Sequence, residues 1–187
     1  MKKYLLPSIK LTIVLIVLFA VAYPLFIAAV AKFAPGKGDG VTVKKDGKVV
    51  GYALVGQNFT EDKYFWSRPS AANYNAASSA GSNKGPSNED YLKTVQDRID
   101  TFLVHNPGMK ISDIPAELVT ASGSGLDPDI SPRAAEVQIP RIAKARNISE
   151  EKIKQLVKEN TKGPLLGLFG PSTINVLQLN VALDGLK

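Results

Sequence analysis

The chain has 187 residues with 23 Lys and Arg against 17 Asp and Glu, one histidine and no cysteine. Without cysteine there is no disulfide framework and no thiolate chemistry, and a lone histidine leaves no ligand set for zinc. The positive excess is not gathered into a basic cluster interleaved with aromatics, so the composition does not point to nucleic acid.

Residues Leu11 to Ala31 form an uncharged, apolar run. At about 1.5 Å per helical residue it reaches roughly the ~30 Å of a bilayer's hydrocarbon core. Apolar side chains fall on every face, as they do in a helix surrounded by lipid. Pro24 lacks an N–H, which favours a kink there over a break. A cleaved signal peptide is the competing reading, supported by Lys2, Lys3 and Lys10 and by the small residues Ala29-Val30-Ala31. The run exceeds the ~7–15 residues of a signal core, which favours a retained anchor. A short basic amino terminus tends to stay inside, and a long following domain crosses regardless of its charge. Residues 1–10 are therefore assigned to the cytoplasm, 11–31 to one transmembrane helix, and 32–187 to a single extracytoplasmic domain. The chain is therefore expected to be a single-pass membrane protein. Three basic residues precede Lys32, so the domain carries 20 basic and 17 acidic residues, a net +3.

From Val41 to Val55, two β-branched runs flank Asp46-Gly47, the dipeptide of a type I′ hairpin turn. The stretch from Phe59 to Asn88 is long for a loop in a compact domain, and such loops are usually functional or disordered. Its aromatics favour order. Tyr64, Phe65 and Trp66 beside Arg68 either pack the loop on the core or present a contact face to a partner. Two glycosylation sequons, at Asn58 and Asn147, are short matches of little weight.

Ser87 or Asn88 caps a helix whose residues Leu92, Val95, Ile99, Phe102 and Leu103 recur on one face, which is expected to be buried. His105-Asn106-Pro107-Gly108 ends it, with His105 placed to cap the helix or pair with its dipole. The segment from Ile114 to Pro132 concentrates serine, glycine, aspartate and proline. It lacks the Gly-Lys-Ser/Thr end of a P-loop, and no glycine stands two residues before Ser122 as a nucleophile elbow requires. As a calcium loop it has Pro132 at the required glycine and Gln138 at the closing glutamate. Turn and capping roles remain for Asp127 and Asp129, beside a weaker possibility of attracting cations.

Ser131-Pro132 opens a helix to about Arg146, bent or interrupted by Pro140. Ser149 caps the next, with Ile153, Leu156 and Val157 on its buried side. Gly163 to Pro171 is an apolar loop, either core cover or a contact patch that includes Leu168 and Phe169. From Asn175 the leucines alternate as in a strand, yet the segment is assigned to helix. The expected fold is mixed, α/β in the broad sense and α+β in layout: a β-hairpin and several helices on one membrane anchor.

Together, several stretches resemble the C subunit of the bacterial Kdp high-affinity potassium-transporting P-type ATPase. They are the anchor; Tyr64-Phe65-Trp66-Ser67-Arg68-Pro69-Ser70-Ala71 with Tyr74-Asn75; Gly81-Ser82-Asn83 with Gly85-Pro86; Leu118 to Pro128; Ser131-Pro132 with Ala135 and Gln138; and Asn175-Val176-Leu177 with Leu179-Asn180 and Ala182-Leu183-Asp184. The resemblance covers almost the whole chain. Trp66 stands where the family often has histidine, a departure at a position with no assigned chemical role.

The resemblance implies a non-catalytic accessory subunit of an ATP-driven potassium-uptake complex in the bacterial inner membrane. Its partners would be a channel-like potassium-translocating subunit, a P-type ATP-hydrolysing subunit and membrane lipid. It further implies a catalytic chaperone that raises ATP affinity, with Ser122, Gly123, Ser124 and Gly125 likened to an ATP-binding-cassette signature. No cofactor is assigned to the chain itself; ATP and potassium belong to the complex. An outside domain cannot touch cytoplasmic ATP, so any effect on affinity must travel as coupling between sites. Tyr64, Phe65, Trp66, Arg68, Leu168 and Phe169 are the candidate partner contacts. An anchored extracytoplasmic binding or sensor domain is the alternative.

Overall fold

A computed structural model describes residues 2–186. By internal contacts the chain divides into two units, 1–42 and 43–187.

The first unit is dominated by one long helix: α1 (Lys2–Ile16), a π-helical segment (Val17–Ala22) and α2 (Tyr23–Ala31). Within Lys3–Ala31 an 18-residue stretch has a mean hydropathy of 2.9 and none of it is buried, and the helix is long and apolar enough to cross a membrane. Pro24 produces no break. The widened turn ahead of it carries the chain past the missing N–H, with Tyr23 N–H donating to Leu18 O, a π-type bond.

The second unit is mixed helix and sheet, its first strand beginning at the boundary residue Thr42. Strands β1 (Thr42–Lys45) and β2 (Lys48–Tyr52) form the expected hairpin, with Asp46 and Gly47 at φ values of 50° and 78° in the tight turn between them. After a long segment come α3 (Glu89–His105), β3 (Asp129–Ile130), α4 (Pro132–Glu136), α5 (Ile139–Arg146), α6 (Glu150–Glu159), β4 (Thr161–Lys162), β5 (Thr173–Asn175) and α7 (Val176–Asp184). β5 lies between β3 and β4, antiparallel to both.

Local signals account for most helix boundaries. Asn88 accepts from Tyr91 N–H at 3.0 Å and starts α3, and Ser131 accepts from Ala134 N–H at 3.1 Å and starts α4. Pro140 interrupts rather than bends: α4 stops at Glu136, and α5 begins with the proline in its first turn, where no N–H is needed. The segment from Asn175 folds as helix, with Val176, Leu179, Asn180 and Leu183 buried on one face.

The core gathers Phe65, Phe102, Ile130, Ile139, Ile142, Ile153, Ile174, Leu179 and Leu183. Each large apolar side chain so buried stabilises the fold by about 1.5–3 kcal/mol. One expectation is corrected here. The apolar stripe of α3 is covered only toward its carboxyl end: Phe102 is buried, Val95, Ile99 and Leu103 are half-buried, and Leu92 is 52% exposed. The core cluster reaches α3 through Phe102, and the first turns of the helix extend past it.

Candidate partner interface and serine-glycine turn

The segment from Phe59 to Asn88 contains no helix or strand, yet two buried amide side chains give its aromatic part the hydrogen bonds of a strand. Phe65 N–H donates to Asn180 Oδ1 at 2.9 Å, and Asn180 Nδ2 donates back to Phe65 O at 2.9 Å. At the next residue, Trp66 N–H donates to Gln138 Oε1 at 2.7 Å and Gln138 Nε2 reaches Trp66 O at 3.3 Å. Buried backbone polar groups must be paired, and here α7 and the start of α5 supply the partners that a neighbouring strand would otherwise provide.

Arg141 completes the clasp. Its Nη1 donates to Asp62 O at 2.7 Å and Tyr64 O at 3.1 Å, its Nη2 to Gln138 Oε1 at 2.7 Å, and its Nε to Asn106 Oδ1 at 3.3 Å. The guanidinium lies 4.4 Å from the Trp66 ring centre. Burial pushes its pKa down to about 10, and Asp62 works against that shift. His105 hydrogen-bonds Asp62 through Nδ1 at 2.7 Å and meets the Trp66 ring edge-on at 4.9 Å, so it ties the end of α3 to the loop.

A second junction closes the domain. Asp184, at the end of α7, accepts from Lys45 Nζ and Arg146 Nη2, each at 2.6 Å, and from Tyr64 Oη at 3.1 Å. Burial opposes the charge of Asp184, but hydrogen bonds from Lys45 and Arg146 outweigh it and hold the carboxyl below its ordinary value. The same hydrogen bond to Asp184 raises Lys45.

The serine-glycine stretch is a tight turn laid against residues 69–80. Ser122 is buried, its N–H donates to Pro69 O at 3.1 Å, and its Oγ accepts from Gly125 N–H at 3.0 Å. Ser124 Oγ accepts from Leu126 N–H at 3.1 Å, and Ser124 O accepts from Ala80 N–H at 3.0 Å. Gly125 has φ +69°, and a Cβ there would lie 2.7 Å from Ala80 O. Gly123 faces open space. Arg68, the nearby cation, is paired with Asp127 at 2.7 Å, while Asp127 Oδ1 also accepts from Asp129 N–H at 3.1 Å in a turn.

The six contact candidates therefore separate. Phe65 is 0% exposed and belongs to the core, which corrects its assignment as a contact residue. Tyr64, Trp66 and Arg68 are half-buried and engaged with Asp184, Arg141 and Asp127 respectively. Leu168 and Phe169 stand exposed, at 81% and 63%. Sequence reasoning gave neither Asn180 nor Arg141 a role of its own, and it weighed Gln138 chemically as a missing calcium ligand. The signal available was a polar residue on the buried face of an otherwise apolar helix.

The family model described as K+-transporting ATPase, c chain, matches residues 5–185. The chain is 57% identical over 185 residues to the potassium-transporting ATPase KdpC subunit of Flavobacterium johnsoniae, covering 99% of this chain and 100% of that one. It is 54% identical over 188 residues to the KdpC subunit of Bacteroides fragilis, with 99% and 98% covered. The Rhodopseudomonas palustris KdpC subunit is 47% identical over 202 residues, with both chains fully covered. With the family model spanning nearly the whole sequence, membrane-length helix included, the chain belongs to the KdpC family, the c chains of the K+-transporting ATPase.

Proposed function

We propose that this chain is a non-catalytic accessory subunit of an ATP-driven potassium-uptake complex. It is held in the membrane by one helix, with residues 1–10 in the cytoplasm and the domain from residue 32 outside. Its partners are the channel-like potassium-translocating subunit and the P-type ATP-hydrolysing subunit, and the domain sits near the outer mouth of the potassium pathway. The observation that carries this reading is the family match from residue 5 to residue 185, which takes in anchor and domain together.

Within that role, Ser122 to Gly125 shape the backbone and do not hold nucleotide. Supporting this, three N–H groups of the turn, those of Ser122, Gly125 and Leu126, already bond within the domain. An influence on ATP affinity then acts as a coupling free energy between the domain's contacts and a distant nucleotide site.

Two experiments test the reading. The chain has no cysteine, so single cysteines at the exposed positions Ser87 and Ser124 report topology cleanly. Both should react with an impermeant thiol reagent in intact spheroplasts, and labelling only after lysis overturns the outside placement. Separately, the anchor fused to an unrelated domain should fail to restore full pump assembly and potassium-stimulated ATP hydrolysis. Full restoration by that fusion removes the outer domain from the function.

A further inference from the structure

Between β4 and β5 the chain leaves the sheet at Lys162 and returns at Thr173, and the excursion carries no charged side chain. At its tip Leu165, Leu166, Leu168 and Phe169 are 70%, 82%, 81% and 63% exposed. Four large apolar side chains within five residues are an unusual load for one surface loop.

Four of the five N–H groups from Leu165 to Phe169 are paired within the turn. Leu165 N–H donates to Phe169 O at 2.8 Å, Phe169 N–H to Leu165 O at 3.0 Å, Gly167 N–H to Pro164 O at 2.9 Å and Leu168 N–H to Leu165 O at 3.1 Å. Pro164 has no N–H to satisfy. An apolar medium penalises every unpaired peptide group, so a turn that pairs most of its own amides enters one at reduced cost.

We propose that the Leu165–Phe169 tip inserts into the interfacial layer of the bilayer that holds the anchor, as a second lipid contact of the same chain. This rests on the membrane-anchored reading but not on which side the domain occupies. Covalent attachment to a spanning helix confines the domain to the bilayer surface, so even a weak lipid contact acts at high effective concentration. The composition favours lipid over a protein groove. The tip offers leucines and one phenylalanine and no hydrogen-bonding side chain, whereas protein hot spots are enriched in Trp, Tyr and Arg. Lys158 and Lys162, both exposed, precede the loop and supply positive charge that anionic headgroups attract.

The test uses the full-length chain reconstituted alone in vesicles of phosphatidylcholine and phosphatidylglycerol. Leu168→Cys carries an environment-sensitive fluorophore, and a fraction of the lipid carries a nitroxide quencher on the acyl chain near the headgroup. Emission should shift to shorter wavelength and lose intensity in quencher-bearing vesicles, and Leu165→Ser with Phe169→Ser should abolish both changes. Ser124→Cys, labelled in the same way, should show neither. Leu15→Cys in the helix should be quenched by acyl-chain nitroxide placed deeper. Quenching at Leu15 without any at Leu168 overturns the inference alone, while no quenching at Leu15 overturns the anchored reading beneath it. A Leu168 shift that appears only when the other pump subunits are added assigns the tip to a protein partner and likewise overturns the inference.

Discussion

Asn180 and Phe65 exchange two hydrogen bonds of 2.9 Å across 115 residues of sequence, one amide side chain matching both backbone groups of one buried residue. Asn180→Leu keeps the bulk of the side chain and leaves a buried N–H and a buried C=O unpaired. Each such group costs about 1–3 kcal/mol, so the substitution should destabilise the domain by roughly 2 kcal/mol or more. Denaturant unfolding of the full chain, followed by the fluorescence of Trp66, the single tryptophan, provides the measurement.

Gly125 and Gly123 should respond differently to alanine. At Gly125 the positive φ and the close approach of Ala80 O oppose a Cβ, and Gly125→Ala should cost about 1 kcal/mol or more. Gly123 has open space and no positive φ, so Gly123→Ala should stay within about 0.5 kcal/mol of the parent. Unfolding midpoints of the two variants check the contrast, and equal losses contradict it.

Asp184 supplies a pH dependence of defined sign. Its carboxyl pKa is lower in the folded chain than its ordinary value of 3.8. The folded state therefore holds fewer protons than the unfolded state in that window, and stability falls as pH falls. The contribution is fully present above the ordinary carboxylate value and is lost as pH drops through the folded value. Asp184→Asn should lower the melting temperature at neutral pH, and the gap from the parent should narrow when both are melted in acid.

Arg141→Lys should not substitute for arginine despite keeping the charge. A lysine ammonium cannot reach Asp62 O, Tyr64 O, Gln138 Oε1 and Asn106 Oδ1 together, and it loses the flat face against Trp66. Faster proteolysis near residues 61–67 than in the parent is the expected result.

Much of the fold was legible because its signals are local. The charge-free run, Asp46-Gly47 and the cap at Ser131 each act over a few residues and appear where the sequence places them, while the structure chooses Asn88 over Ser87 as a cap and interruption over bending at Pro140. The alternating leucines of α7 read like a strand, but the helical spacing of Val176, Leu179, Asn180 and Leu183 decides. What the sequence concealed is the partnership of Gln138 and Asn180 with the aromatic segment. Those bonds join residues 72 and 115 apart, and no periodicity marks such a pair. The aromatic segment itself was visible, but whether its rings face inward or outward depends on those distant amides. Phe65 went inward, while Leu165 to Phe169 present exposed apolar side chains.

The clasp also dictates the order in which the domain can assemble. Lys45 reaches Asp184 across 139 residues, and the Phe65 backbone waits for Asn180. Neither junction can form until the last helix has been synthesised, so the hairpin and the aromatic segment spend most of translation without their partners. Long-range closure of this kind slows folding, because loop entropy is lost before any contact returns it. A chain cut short before α7 would remain tethered by its finished anchor with its middle segment open, marked for proteolysis and unable to present a completed surface to the pump.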